Sequence, residues 1–142
     1  MKWSSVLALA VLTAYSAHPA FTVLLQVIDE TTQWVGAHFA TLTLAWLGLV
    51  FVAAVLALQR IPTVMERVEA ACRWSGVLLL LTLPVLVSMV WVQAAAESGA
   101  DQGGAAAAFF LLLIFGGYYA ILGVVLLGAA TLLRRKRRAA KA

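Results

Sequence analysis

Charged residues divide this sequence into four long uncharged segments. Residues 3–28, 31–59, 74–96 and 102–133 contain no Asp, Glu, Lys or Arg. Each is longer than the about 20 residues with which a helix crosses roughly 30 Å of bilayer hydrocarbon. In hydrocarbon, a helix satisfies all its backbone hydrogen bonds within one segment. The pattern therefore predicts an all-α integral membrane protein with transmembrane helices at about 4–28, 39–58, 74–95 and 107–133.

The polar joints between these segments alternate in charge. Lys2, the joint 60–73 and the tail 134–142 carry all ten Lys and Arg residues, whereas the joints around Asp29 and Glu97 are acidic. Basic joints remain on the cytoplasmic side of a membrane. We therefore expect two antiparallel helical hairpins with both termini in the cytoplasm.

Composition supports a membrane location and excludes a separate soluble domain. Hydrophobic residues make up 64% of the chain, and its mean hydropathy is +1.00, above the usual globular share of about 45 to 50%. The joint 60–73 is too short to bury a core of its own. We predict one transmembrane domain over residues 1–142, in the inner membrane of a bacterium, as the Ala, Leu, Val and Arg bias suggests. The net charge of +4 follows from topology and does not indicate a nucleic-acid partner.

The first segment has a superficial likeness to a secretory signal peptide, because Lys2 precedes an apolar run and small residues surround Ala17. The apolar run is longer than the about 7 to 15 residues of such a peptide's core, and the small residues form a poor cleavage site. We therefore expect an uncleaved helix.

The joint 60–73 has the pattern of a short amphipathic helix on the membrane surface. Thr63 and Glu66 have the spacing of a capping box. Apolar residues then share one side, and Glu69 can pair with Arg73 one turn later. This segment is either a solvated connector or a docking surface.

A polar stripe on the first helix is the most chemically suggestive feature. Tyr15, His18, Thr22 and Gln26 recur every three or four residues and so share one face. Lipid is a poor neighbour for polar side chains, so this stripe should face the bundle interior or a partner, where it can hydrogen-bond between helices. Pro19 removes one backbone donor and loosens the helix near Tyr15.

Two histidines raise the question of a cofactor. His18 lies within the first predicted helix, and His38 lies at the outer start of the second. Imidazoles from facing helices can hold the iron of a b-type haem, and either histidine could contact a quinone or a lipid headgroup. The alternative is a hydrogen-bonded packing histidine. No spacing of Cys and His residues indicates a metal site.

Two further groups of residues suggest structural roles. Gly116, Ala120 and Gly123 form a strip of small residues on the fourth helix, which permits close approach of another helix from this chain or another subunit. The basic tail should fix topology and attract anionic lipid. Its residues are Arg134, Arg135, Lys136, Arg137 and Arg138.

The sequence contains no catalytic motif, such as paired intramembrane carboxylates or a phosphate-binding loop. We therefore expect a non-catalytic subunit that packs within, and helps to assemble or anchor, a larger inner-membrane complex, for example in respiratory or photosynthetic electron transfer. A small homo-oligomeric transporter or channel is one alternative. A subunit that binds haem or quinone through His18 and His38 is another.

Overall fold

The structure, a computed structural model, describes residues 3–32, 35–96, 109–110 and 112–140. Within them, four helices are long and apolar enough to cross a membrane. The spans are formed by α1 (Trp3–Thr32), α2 (Phe39–Gln59), α3 (Val64–Ala96) and α4 (Gly117–Ala139), and the second and fourth spans include the short helical turns that lead into α2 and α4. A 3₁₀ turn, Gly36–His38, precedes α2, and a π-helical turn, Leu112–Gly116, leads into α4. The described residues confirm the prediction of an all-α fold with four helices long and apolar enough to cross a membrane.

The third helix begins well before the predicted crossing at 74–95. It runs without a break from Val64, so the joint 60–73 is not a separate surface helix. Thr63 caps its first turn, since the hydroxyl accepts a hydrogen bond of 3.2 Å from the Glu66 backbone N–H. Arg67 and Ala71 are buried, and Arg67 Nε donates a 2.8 Å hydrogen bond to the Ile61 carbonyl. Burial of these residues keeps the segment within the bundle as part of α3.

The fourth helix also continues past its predicted end at residue 133. It ends at Ala139, so most of the basic tail is helical. This extension brings Arg137 to α3, where it contacts Glu66 and Glu69. The expected pair between Glu69 and Arg73 is replaced by one between Glu69 and Arg137, because the end of α4 lies beside the start of α3.

The helices pack in the order α2, α1, α3, α4. Extensive contacts join α1 to α2, α1 to α3, and α3 to α4, whereas α2 barely touches α3. One apolar core lies where the first three helices meet; it contains Val6, Ala10, Ala54, Leu58 and Ala71. The first helix therefore lies between α2 and α3.

Two sets of contacts establish the direction of neighbouring helices. Phe21 of α1 stacks on Trp46 of α2 with ring centroids 4.7 Å apart, while Asp29 accepts a 2.7 Å hydrogen bond from the Gly36 backbone N–H. Higher numbers in α1 thus meet lower numbers in α2, so the two helices are antiparallel. The α3–α4 pair is antiparallel too, since Glu66 lies beside Arg137 and Gly76 beside Gly123. We call the end that contains Arg60, Arg73 and Arg137 the basic end.

Candidate functional site

The polar stripe on α1 divides between two environments. The Tyr15 side chain is 75% exposed, and Gln26 is exposed as well, whereas His18 and Thr22 are half-buried. Tyr15 and Gln26 therefore lie outside the bundle that this chain forms, not in its interior. The structure does not place these two side chains between helices of this chain, and their contact with a partner stays a prediction.

Small residues explain why the stripe faces outward. Ala10, Ala14 and Ala17 are buried on α1, and so are the hydroxyl residues Thr13 and Ser16. Small side chains let neighbouring backbones approach closely. The face that carries them is therefore the face that meets α2 and α3, and the bulkier Tyr15 and Gln26 are left outside. Sequence reasoning missed this packing face, although the four-residue spacing of Ala10 and Ala14 is a recognisable signal.

Hydroxyl groups in α1 bond to their own helix. Thr22 Oγ1 donates to the His18 and Pro19 carbonyls at 3.1 and 3.0 Å. Thr13 and Ser16 likewise donate to carbonyls four residues earlier, at 2.9 and 2.8 Å. Such bonds satisfy a buried hydroxyl without a neighbouring helix. The hydrogen bonds between helices that the stripe predicted for Thr22 are therefore not needed.

The two histidines lie at different depths. The hydrogen bond between Asp29 and Gly36 holds the turn Gly36–His38 at the level of Asp29. His18 lies about 16 Å deeper along α1, at 1.5 Å per residue. The stack of Phe21 on Trp46 sets the same register and places residues near Leu49, rather than His38, opposite His18. The structure therefore does not bring the two imidazoles together as axial ligands for one haem iron. Among the described residues, no group of three His, Cys, Asp or Glu side chains is placed to hold a metal ion.

Tyrosines from α1 and α4 share one side of the bundle. Tyr118 and Tyr119 form an edge-to-face pair with ring centroids 5.6 Å apart. Tyr15 lies near Tyr119, although extensive packing joins each of their helices to α3 instead. Tyr15 and Tyr118 are 75% and 58% exposed. We call Tyr15, Tyr118 and Tyr119 the tyrosine surface; it presents polar hydroxyls from the middle of α1 and the start of α4.

The small-residue strip on α4 packs against α3. A Cβ placed on Gly123 would lie 2.9 Å from the Leu80 side chain and 3.1 Å from the Gly76 carbonyl oxygen. One placed on Gly116 would make ordinary contact, at 3.5 Å, with Leu83, and Ala120 is half-buried. The sequence analysis did not identify Gly76 as the partner glycine, because no pattern in the sequence shows which face of α3 meets α4.

The basic residues at the end of α4 also divide into two groups. Arg137 is half-buried and paired with two glutamates, so its charge is engaged within the protein. The other members of the predicted lipid-attracting group are exposed: Arg134, Arg135, Lys136 and Arg138.

Comparison with known protein families, with curated proteins and with solved structures finds no match to this chain. Its function must therefore be argued from its own residues.

Proposed function

We propose that this chain is a non-catalytic membrane subunit that packs against other membrane proteins and helps to assemble or anchor their complex. The observation that carries the proposal is the position of Tyr15. Its side chain is 75% exposed about halfway along a membrane-spanning helix. Within the described part of the chain, its hydroxyl makes no hydrogen bond.

The energetics of a polar group in hydrocarbon favour a protein neighbour for Tyr15. An unsatisfied polar group in the bilayer core costs several kcal/mol when no partner is within reach. A hydrogen bond to another helix recovers roughly 0.6 to 2 kcal/mol in membrane proteins. Gln26 is exposed on the same helix, and its amide can both donate and accept. A second protein that covers this face would satisfy both side chains.

The distribution of charge supports an orientation for this subunit. The described Lys and Arg residues are in the joint 60–73 and at the end of α4, and both regions lie at the basic end of the bundle. The positive-inside rule assigns that end to the cytoplasm. We propose a bacterial inner-membrane location with both termini cytoplasmic. A respiratory or photosynthetic electron-transfer complex is the narrower setting that we propose.

Site-specific photocrosslinking in the native membrane tests the partner role. A photoreactive phenylalanine replaces Tyr15 in one variant and Leu44 in a control. Leu44 is 70% exposed on α2, so both probes leave the bundle core intact. We expect a cross-link to a different membrane protein from position 15 and only lipid adducts from position 44.

Two results would contradict this expectation. Equal cross-linking from both positions would mean that partner contact is not specific to the tyrosine surface. A cross-link from position 15 to a second copy of this chain alone would favour the homo-oligomeric transporter or channel, which solute flux into liposomes would then test.

A further inference from the structure

An apolar groove separates α2 from α3 on one side of α1. It has a volume of about 550 Å³ and contains the side chains of Ala53 and Ala57 on one wall and Trp74 and Val77 on the other, with Thr13 at its floor. The groove exists because α2 packs against α1 and barely touches α3. The alanines of α2 leave the space unfilled.

One end of this groove carries a positive charge. Arg73 lines the groove, and its side chain is exposed, unlike the buried Arg67 and the paired Arg137. Arg73 lies at the basic end, one residue before Trp74. An indole favours the headgroup region of a bilayer, and an arginine there meets lipid phosphate. The groove is therefore apolar along most of its length and has a cation, Arg73, at the end that lies at headgroup depth.

We propose that this groove binds an anionic phospholipid from the leaflet at the basic end. One acyl chain lies between α2 and α3, and the phosphate accepts hydrogen bonds from the Arg73 guanidinium. Basic pockets between transmembrane helices are known to hold anionic headgroups. The groove volume lies within the roughly 300 to 1,000 Å³ of small-molecule sites. A partner helix, about 10 Å across, would fit it less well and would have to place its own acidic residue beside Arg73.

This inference is independent of the partner role, because the groove and the tyrosine surface share no residue. Failure of either proposal would leave the other unaffected.

Native mass spectrometry of the detergent-purified chain tests the lipid site. Phosphatidylglycerol and phosphatidylcholine are added separately, and the retained adducts are measured. We expect preferential retention of phosphatidylglycerol. Arg73→Gln should weaken that retention about fivefold, which corresponds to the roughly 1 kcal/mol of one basic residue near lipid phosphate. The control Arg60→Gln, at an exposed arginine of the basic end that does not line the groove, should leave it unchanged.

A second variant tests the acyl-chain site separately from the charge. Ala53→Leu with Ala57→Leu fills the groove and should remove the retained phosphatidylglycerol, whereas Ala45→Leu, at an exposed position of α2 outside the groove, should not. Helical content by circular dichroism checks that all variants fold.

Three outcomes would overturn the proposal. Equal losses in the two arginine variants would indicate a diffuse charge effect. Unchanged retention after the groove is filled would place the lipid elsewhere. Loss of a co-purified polypeptide on filling, with lipid retention intact, would make the groove a helix-docking site.

Discussion

Arg137, near the end of α4, donates a hydrogen bond of 2.5 Å to the carboxylate of Glu66 in the first turn of α3. A second guanidinium nitrogen lies 3.4 Å from Glu69. One arginine thus joins the ends of two helices that are distant in the sequence. The side chains of Arg137, Glu66 and Glu69 are only 30%, 22% and 13% exposed, respectively.

Arg137→Gln should destabilise the bundle at its basic end. Two carboxylates lose their shared cation, but partial exposure limits the effect to about 1 kcal/mol. Thermal unfolding in detergent would measure it, with Arg138→Gln as the neighbouring control. Because the pair is electrostatic, high salt should narrow the difference between the variants. A wild-type melting temperature in Arg137→Gln would show that the contact contributes nothing.

Gly123→Ala should disrupt the contact between α3 and α4. The added methyl group would lie 2.9 Å from Leu80 and 3.1 Å from the Gly76 carbonyl oxygen, so the helices must separate, at a cost of about 1 to 3 kcal/mol. Gly128→Ala on the same helix is a matched control, because its Cβ would meet nothing within 4 Å. Alanine is the better helix former by up to about 1 kcal/mol, so the control should be neutral or stabilising. Equal melting temperatures for the two variants would contradict this packing.

Ser75→Ala should leave the protein equally stable or make it more stable. Ser75 is fully buried, and its hydroxyl has no hydrogen-bond partner among the residues that the structure describes. Removing an unsatisfied buried hydroxyl recovers its desolvation cost, about 1 kcal/mol. Thr82→Val is the comparison, since Thr82 is equally buried but donates to the Leu78 carbonyl at 3.2 Å. That variant should be neutral or less stable. Marked destabilisation by Ser75→Ala would mean that the hydroxyl has a partner in the membrane-bound protein.

The proposed orientation predicts that both chain ends are accessible from the cytoplasm. Reporter fusions at each terminus would measure this in intact cells. Replacement of Arg134, Arg135, Lys136 and Arg138 with Gln should reduce the cytoplasmic signal at the C-terminal end, because these cations resist transfer across the membrane. The paired Arg137 is kept, so the contact with α3 is not disturbed. Fusions that report opposite sides for the two ends would refute the orientation.

Residue patterns predicted less of the candidate site than of the helices. They identified Tyr15, His18, Thr22 and Gln26 as one stripe, but not the way it faces. That direction depends on the close approach of α2 and α3 to Ala10, Ala14 and Ala17. The difference in depth between His18 and His38 likewise required the register that Phe21 and Trp46 establish.

The sequence by itself determined the four apolar helices, because the cost of a charge in hydrocarbon and the length of a crossing helix are local properties that an uncharged segment displays directly. Only the tertiary structure decided which helices are neighbours, that α3 begins within the joint 60–73, and that Arg137 pairs with Glu66 and Glu69 rather than with lipid. Lipid tails are as apolar as leucine, so hydrophobicity does not select one helix face over another. Shape complementarity between faces makes that choice, and it exists only once the helices have come together.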